Sequence, residues 1–269
     1  MKVVIIGKGR VGRALSAAFI RNAIRCRIYP YRENLPKRLP KADLLLLCCR
    51  DGQLSELVRR LDGTLFPSTL VVAHVSGGMG PDVLAQLKPK CFGTAQLHPY
   101  CSILSSGHPR AFRDVPFLVR GDRAAMALIR RLLKVLGAKA VVVKRLDETR
   151  YHLSAALLAN GTLALLSEAS RLLKASGIPK RSSKYFVQSL LGSVLHNTTK
   201  HGINEALTGP VRRGDTTTLK RHFAVLRAEE ATLLPLYREL VLAQLRVVAE
   251  LGEGDVATNR KIAALARGR

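Results

Sequence analysis

Hydrophobic residues follow two different patterns in the two halves of the chain. The first half opens with MKVVII, a continuous apolar run that is typical of a buried parallel strand. Helical periods are predicted at about 53–61 and 123–136. Further short apolar runs predict strands at about 26–29, 43–49, 69–75, 93–98, 116–120 and 140–143. Strands that alternate with helices in this way predict a parallel α/β sheet.

After residue 146 the pattern becomes helical. One long helix is predicted over 147–176, ended by Gly177-Ile178-Pro179. From Gly252 onward the chain carries little periodicity and is expected to be loosely held. The other predicted segments are helices at about 182–197, 216–228 and 229–251 and a turn-rich loop at 202–215. The sequence therefore predicts an α/β domain at 1–146 and an all-α domain at 147–269.

A glycine motif, GKGRVG at 7–12, follows the first strand without a spacer and opens an amphipathic helix. Gly7 permits a tight turn, Gly9 lets the backbone approach a diphosphate, and Gly12 lets the helix pack closely on the strand. We therefore predict a doubly wound Rossmann domain whose cofactor-binding residues include these glycines, Arg10 and Val11. A glycine-rich turn in another α/β fold is the alternative.

The end of the second strand bears on the choice between NAD and NADP. NAD-preferring sites carry an acidic residue there that hydrogen-bonds the ribose 2′-hydroxyl. This chain reads RIYPYRE at 27–33, where Arg32 can pair with a 2′-phosphate and Tyr31 or Arg32 can stack on adenine. NADP is therefore favoured. Glu33 keeps NAD open if the strand ends later, and Arg32 as an exposed loop cation is the alternative to a binding role.

Two further segments are expected at the cofactor crevice, because ligands of open α/β sheets lie outside the carboxyl ends of the strands. The segment Cys48-Cys49-Arg50-Asp51 stands at the end of one predicted strand, and Ser76 follows the next. We expect this segment, with Cys49 and Arg50, to line the crevice and Ser76 to contact nicotinamide or substrate. A plain turn with a capping serine explains Ser76 nearly as well.

The chain resembles a family of two-domain proteins that joins a Rossmann-like domain to the domain of unknown function 2520. The segments that carry the resemblance are GKGRVG at 7–12, ADLLLLCCRDGQLSELVRRL at 42–61, AHVSGG at 73–78, QLHPYCSI at 96–103, YHLSAALLAN at 151–160 and ALTGPVRRGD at 206–215. The resemblance implies a fold similar to ketopantoate reductase, pyrroline-5-carboxylate reductase and 6-phosphogluconate dehydrogenase, with a C-terminal domain of the last type. It also implies NADP as the usual cofactor and a homodimer, and it names no substrate.

Candidate catalytic residues lie on the long predicted helix. His152, Ala156 and Asn160 recur every four residues and so would share one face. In related β-hydroxyacid dehydrogenases the corresponding helix carries a lysine four residues before an asparagine, and this chain has Ala156 there. We expect His152 to act instead as proton donor, because imidazole exchanges protons near neutral pH. A helix-start histidine that hydrogen-bonds a neighbouring carbonyl is an equal alternative.

Two more candidate sites come from turns. His98-Pro99 resembles the HP turn of prephenate dehydrogenases, so His98 can face the nicotinamide end of the crevice, although a buried, satisfied imidazole is the alternative. In GPVRRGD at 209–215, Arg213 can clamp a substrate carboxylate or phosphate. Arg213 and Asp215 are therefore the predicted substrate-binding residues. The alternative is that the two form an ion pair that only holds the loop.

Composition bears on partners and location. The 269 residues carry a net charge of +25, which suits anionic partners and keeps nucleic-acid binding open, but the basic residues are scattered, as on a solvated surface. Five cysteines form no CxxC pair and no metal-spaced cluster, so we interpret them as buried thiols and expect no metal. The apolar runs are too short to span a membrane, and no signal peptide opens the chain, which favours a cytoplasmic location.

Three functions are compatible with these patterns. The first is an NAD(P)-dependent oxidoreductase that acts on a small carbonyl, imine or hydroxy compound. The second is a non-catalytic NADP(H)-binding sensor or scaffold, which the absence of the helix lysine favours. The third is a basic nucleic-acid-binding protein.

Overall fold

The computed structural model describes residues 1–33, 36–104 and 112–268. The chain divides into two compact units, Met1–Thr162 and Leu163–Arg269. The helix that the sequence predicts from residue 147 therefore begins within the first unit and continues into the second. The first unit holds the sheet, and the second unit is helical.

The described part of the first unit forms a seven-stranded sheet in the order β2-β1-β3-β4-β5-β6-β7. Its strands are β1 Lys2–Ile6, β2 Arg25–Tyr29, β3 Leu44–Leu47, β4 Val71–His74, β5 Gly93–Pro99, β6 Pro116–Gly121 and β7 Lys139–Val142. The strand order reverses between β1 and β3, and this reversal creates the crevice in which doubly wound sheets bind ligands. The predicted fold class, a Rossmann sheet followed by a helical region, is confirmed.

The predicted parallel sheet contains one antiparallel pairing. Strands β1 to β5 are parallel, but β5 and β6 pair antiparallel, and β7 is parallel to β6. A parallel connection needs a long crossover, usually a helix. No helix occurs in the described residues between β5 and β6, and the amide of Tyr100 donates to the carbonyl of Pro116 at 3.0 Å, which extends the antiparallel ladder.

Helices cover both faces of this sheet. They are α1 Arg10–Arg21, α2 Asp51–Leu61 and α3 Arg123–Leu136, with a 3-10 helix at Pro81–Lys90. Helix α4 Glu148–Ala156 follows β7 and buries none of its residues. One apolar cluster packs α1 and α3 on one face, and a second packs α2 and the 3-10 helix on the other. Strand β3, with the sequence LLLL, is buried on both faces, which explains its uninterrupted apolar run.

The second unit is helical, and α7, α8 and α9 form a core of their own. The helices are α5 Thr162–Ala175, α6 Lys180–His201, α7 Thr216–Ala228, α8 Leu234–Glu250 and α9 Val256–Arg267. The core comprises Val211, Leu219, Phe223, Val241, Val248, Ile262 and Ala266. Within the described residues, no helix is both long enough and apolar enough to cross a bilayer.

Three expectations need correction. The chain after Gly252 is not loose, because Asp255 caps α9 by accepting from the Thr258 amide at 2.7 Å, and α9 contributes to the core. The predicted helix 147–176 is interrupted by a π turn at Leu157–Gly161. Among the five cysteines only Cys48 is buried, and the others are partly exposed.

Candidate functional site

The glycine turn after β1 packs tightly against the end of β3. Gly7 has φ +120°, a conformation that favours glycine, and its amide donates to the carbonyl of Tyr29 at 2.8 Å. A Cβ on Gly7 would collide with the carbonyl oxygen of Cys48, and a Cβ on Gly12 would collide with the carbonyl oxygen of Gly7. The turn therefore requires glycine at both positions for reasons internal to the protein.

The N-terminus of α1 is open. Gly9 is the N-cap residue, is exposed, and has an ordinary φ of −70°, so its lack of a side chain serves no internal requirement. No side chain caps the helix, and its first turn holds no acidic residue. Arg10 is exposed beside it, and Val11 is partly buried. Open amides at a helix start attract anions, so the turn fits a diphosphate.

The segment after β2 is tied to α2. The Tyr31 hydroxyl donates to Glu56 Oε2 at 2.6 Å, and Arg60 donates to the Tyr31 carbonyl at 2.8 Å. The Arg60 guanidinium also lies over the Tyr31 ring, 5.3 Å from its centroid. Arg32 follows with an exposed side chain at the carboxyl end of β2. The structure thus presents Arg32 to solvent and uses Tyr31 as an anchor.

The residues after β3 begin α2 at the same edge of the sheet. Burial raises the pKa of Cys49 to about 11, so this thiol stays protonated at neutral pH. Arg50 is the exposed N-cap residue, whose amide donates to Gln53 Oε1 at 3.4 Å. Asp51 is the first helical residue and is exposed.

Ser76 is engaged within its own turn. The residue is buried, and its hydroxyl accepts from the Gly78 amide at 3.2 Å. Its carbonyl accepts from Gln96 Nε2 at 3.0 Å. The geometry is that of a serine that stabilises a turn, which was the alternative reading of this residue.

His74 and Gln96 fix the loop 75–80 from beneath. His74 Nδ1 accepts from the Ser76 amide at 3.2 Å, so its Nε2–H donates to the Gly80 carbonyl at 3.1 Å. Burial lowers the pKa of His74 to about 4, which keeps the ring neutral. Gln96 donates a second bond, to the Met79 carbonyl at 2.8 Å. The loop is therefore held in one conformation by two buried side chains.

The glycines of this loop leave room for polar side chains from other elements. A Cβ on Gly77 would lie 2.8 Å from His98 Nε2. A Cβ on Gly78 would lie 2.9 Å from Asp51 Oδ2 and 3.9 Å from His152 Cγ. The loop thus brings together three titratable side chains from β5, α2 and α4.

His98 lies at the end of β5 and is partly buried. Its Nδ1 is 2.8 Å from the Tyr151 hydroxyl, and the two rings meet edge to face at 5.4 Å. Burial, assisted by repulsion from His152, lowers the pKa of His98 to about 4. Burial also raises the pKa of Tyr151 to about 12. At neutral pH both groups are uncharged, and the tyrosine fixes the orientation of the imidazole.

Helix α4 is attached to β5 and β6 through polar side chains spaced three residues apart. Glu148 pairs with Arg120, and Tyr151 bonds His98. Ser154 donates to the Tyr151 carbonyl at 2.6 Å, so its 2.8 Å bond to the Tyr100 hydroxyl must be donated by the tyrosine. A cavity of about 300 Å³ opens beside this helix, lined by His98, Pro99, Tyr100, Cys101, Ser102, His152, Ala155, Leu158 and Ala159.

Asn160 lies in the π turn and is exposed. A π turn holds more residues per turn than an α-helix, so the chain after Ala156 is rotated relative to α4. The regular spacing from which a shared face of His152 and Asn160 was predicted is therefore broken. His152 and Asn160 therefore stay two separate candidates and are no longer expected to act from one helix face.

The loop before α7, in the second unit, is held by an arginine that the sequence prediction did not single out. Arg212 donates to both carboxylate oxygens of Glu253, at 2.7 and 2.8 Å, and to the carbonyls of Glu205 and Leu207. Asp215 caps α7 by accepting from the Thr218 amide and hydroxyl at 2.9 and 2.7 Å, which lowers the pKa of Asp215.

Arg213 is left with an exposed side chain. Within the described part of the chain it forms no ion pair with Asp215, so the structural alternative for this pair does not describe the loop. A role of Arg213 in anion binding stays a prediction.

Sequence reasoning missed or undervalued several of the residues that lie around His98 and His152. Tyr100 was part of the QLHPY segment, two residues after His98, a spacing that places side chains on one side of a strand. Tyr151 was part of the YHLSAALLAN segment, directly before His152. Ser154 gave no signal of its own, because a helix serine is common and has structural explanations. Asp51 was expected only to line the cofactor crevice.

The fold and the glycine turn define a class, a Rossmann domain followed by a helical domain. Residues 1–99 match the Rossmann-like domain, and residues 115–244 match the Domain of unknown function (DUF2520). The chain belongs to the family that combines these two domains, and the predicted resemblance is confirmed.

Solved structures share this fold. One is described as a candidate NADP oxidoreductase from Bacteroides fragilis, with 18% identity and a TM-score of 0.73 over 90% of this chain and 97% of that chain. Another is protein TM1727 from Thermotoga maritima, with 19% identity and a TM-score of 0.69 over 93% and 100%. The imine reductase from Myxococcus stipitatus, in complex with NADP+, has 17% identity and a TM-score of 0.61 over 97% and 99%. No curated protein matches this chain.

Proposed function

We propose that this protein is an NADP(H)-dependent oxidoreductase that acts on a small carbonyl, imine or hydroxy compound. The observation that carries the proposal is the open glycine turn. Gly7 and Gly12 are required to build the turn, whereas Gly9 leaves open space at the uncapped start of α1. Space next to free amides at the carboxyl edge of a doubly wound sheet suits a dinucleotide.

The cofactor would be held along this edge by Gly7, Gly9, Arg10, Val11 and Gly12. Arg32 supports NADP, since its exposed guanidinium lies after β2, where a 2′-phosphate is recognised in such sheets. The NADP+ named for the M. stipitatus imine reductase agrees with this choice. NAD is the alternative, through Glu33. When bound, the nicotinamide supplies or accepts the hydride.

Proton handling falls to the two histidines at the 300 Å³ cavity. His98 is neutral and is oriented by Tyr151, so it offers one fixed ring position to a substrate oxygen or nitrogen. His152 is exposed, lies near Gly78, as Asp51 does, and lines the same cavity, which suits exchange of a proton with a reacting group. Arg213 is proposed to hold a substrate anion.

Replacing His152 with alanine should reduce turnover by about 100-fold or more, because a positioned acid or base contributes that much to proton transfer. The affinity for NADPH should stay within about twofold, since His152 is not among the residues proposed to hold the cofactor. The measurement is nicotinamide absorbance across a panel of keto acids, imines and alcohols, with NADPH affinity determined by calorimetry. His196→Ala, at an exposed position of α6, is the matched control.

Unchanged turnover in His152→Ala would remove this residue from the mechanism. NADPH binding without turnover on any compound of the panel would favour the sensor or scaffold. Absence of nucleotide binding, together with salt-sensitive retention on DNA, would favour the nucleic-acid-binding reading.

The proposed partner is a second copy of the chain, in the cytoplasm, where free thiols persist. Phe186, Leu190 and Val194 recur every four residues on α6 and are 51%, 70% and 46% exposed. A stripe of this kind is suited to an interface.

Light scattering should give twice the chain mass of 29.4 kDa, and Leu190→Arg should shift the protein towards the monomer. Ile20→Arg, at another exposed apolar position, should not; monomeric wild-type protein would refute the proposal.

A further inference from the structure

The turn that carries Arg32 is held by a fork of hydrogen bonds from one arginine. Arg60 donates through one terminal nitrogen to the Tyr31 carbonyl at 2.8 Å and through the other to the Glu33 carbonyl at 2.9 Å. These two carbonyls belong to the residues on either side of Arg32. A single planar guanidinium therefore fixes the backbone before and after the exposed cation.

A second contact joins the same turn to the same helix. The Tyr31 hydroxyl donates to Glu56 Oε2 at 2.6 Å, and Glu56 lies one helical turn before Arg60 on α2. The Arg60 guanidinium also packs over the Tyr31 ring. Helix α2 is itself anchored in the core through Leu54, Leu57, Val58 and Leu61. The turn is thus attached to a rigid element through both its backbone and a side chain.

We infer that Arg60 is a positioning residue that sets the preference for a 2′-phosphorylated nucleotide by fixing the turn that presents Arg32. The inference rests on the proposed function. Arg60 does not itself offer its terminal nitrogens to the ligand, because the backbone carbonyls of the turn occupy them.

The physical reason is preorganisation. A charge-assisted contact between a guanidinium and a phosphate depends on the position of the guanidinium, so a mobile turn must be ordered when the ligand binds. Ordering one residue on binding corresponds to about a tenfold loss of affinity. Most of this loss should fall on a nucleotide with a 2′-phosphate, because NADH lacks the phosphate that Arg32 is proposed to bind.

The test compares Arg60→Gln with Arg59→Gln. Both variants remove one positive charge from the same turn of α2, but Arg59 is exposed and only Arg60 bonds the turn. Calorimetry should show NADPH bound about tenfold more weakly by Arg60→Gln, with NADH affected by less than about threefold. Arg59→Gln should stay within about twofold for both nucleotides. Adenosine 2′-monophosphate, compared with adenosine 5′-monophosphate, should show the same selectivity without any turnover.

Two further variants distinguish a positioning role of Arg60 from an effect of its charge and from unfolding of the variant. Arg60→Lys keeps the charge but not the planar fork, so it should also weaken NADPH selectively. Tyr31→Phe keeps Arg60 and the ring but loses the bond to Glu56, and it should give a smaller loss of the same kind even if Arg60→Gln fails to fold.

Several results would overturn the inference. They are an equal loss of NADPH and NADH in Arg60→Gln, wild-type affinity in Arg60→Lys, the same loss in Arg59→Gln, or a selective loss of NADH. Wild-type protein that binds neither nucleotide would instead refute the proposed function, so the two failures can be told apart.

Discussion

Replacing Gly9 with alanine should largely abolish binding of nicotinamide nucleotides while the fold stays intact. Within the protein, a Cβ at this position meets no atom nearer than the Cys48 carbonyl oxygen at 4.0 Å, and the φ of −70° suits any residue. The added methyl group occupies space that only a ligand would use. We expect the Kd for NADPH to rise by at least about 30-fold, or roughly 2 kcal/mol, because the diphosphate can no longer approach the helix amides.

The measurement is calorimetric titration with NADPH, paired with thermal unfolding of each variant. Gly52→Ala makes the same chemical change on α2, where a Cβ meets nothing within 4 Å, and should leave the NADPH affinity unchanged without lowering the melting temperature. Gly7→Ala should lower the melting temperature, since φ is +120° and the new Cβ collides with the Cys48 carbonyl. Wild-type affinity in Gly9→Ala would mean that the turn does not hold the nucleotide.

Most of the first unit could be predicted from local pattern. Helix α3 was predicted with its observed bounds, and the strands were found within two residues at either end. Strands such as β3 and β4 are buried along their whole length, which gives them uninterrupted apolar runs. Strand direction was harder. A run such as FLVR in β6 has the same composition whether it pairs parallel or antiparallel, and direction depends on the connection that precedes it.

The second unit shows where periodicity alone is insufficient. Helix α9 buries Ile262 and Ala266 among charged neighbours, so its apolar signal is short, although the Asp255 cap marked its start. The π turn at Leu157–Gly161 left no trace in the pattern, because an additional residue within a helix does not change its composition.

The residues of the candidate site that belong to a local sequence motif could be predicted. The contacts between residues distant in the sequence were missed. Gly7 and Gly12 follow from the need for close packing, which their sequence context indicated. The bond between His98 and Tyr151 spans 53 residues, and no local rule pairs them. Arg212 and Arg213 are chemically identical in sequence, and only the positions of Glu205 and Glu253 determine which one holds the loop.

Acidification from pH 7 to about pH 4.5 should destabilise the first unit strongly, because two of its histidines are held neutral. The pKa values of His74 and His98 are each lowered from 6.5 to about 4, chiefly by burial. Asp51 favours the charged form of both imidazole rings. Arg120 disfavours the charged form of His74, and His152 disfavours the charged form of His98. Burial outweighs these effects at both histidines.

The sign follows from proton binding. Above pH 6.5 both rings are neutral in the folded and unfolded chain, so they add no pH dependence. Between pH 6.5 and about 4 the two histidines bind more protons in the unfolded chain than in the folded chain. The free energy of unfolding therefore falls as pH falls. Each fully developed shift corresponds to roughly 3 kcal/mol, with the larger effect expected at the fully buried His74.

Urea unfolding followed by circular dichroism between pH 4.5 and 8 measures this loss. His74→Gln should reduce the pH dependence most, and His98→Gln should reduce it further, since neither replacement titrates. His74→Gln should also be less stable at pH 8, because the loop 75–80 loses bonds to the imidazole. His196→Gln, at an exposed position of α6, should reproduce the wild-type curve. If both buried-site variants kept the full wild-type pH dependence, other groups would be responsible for the acid sensitivity.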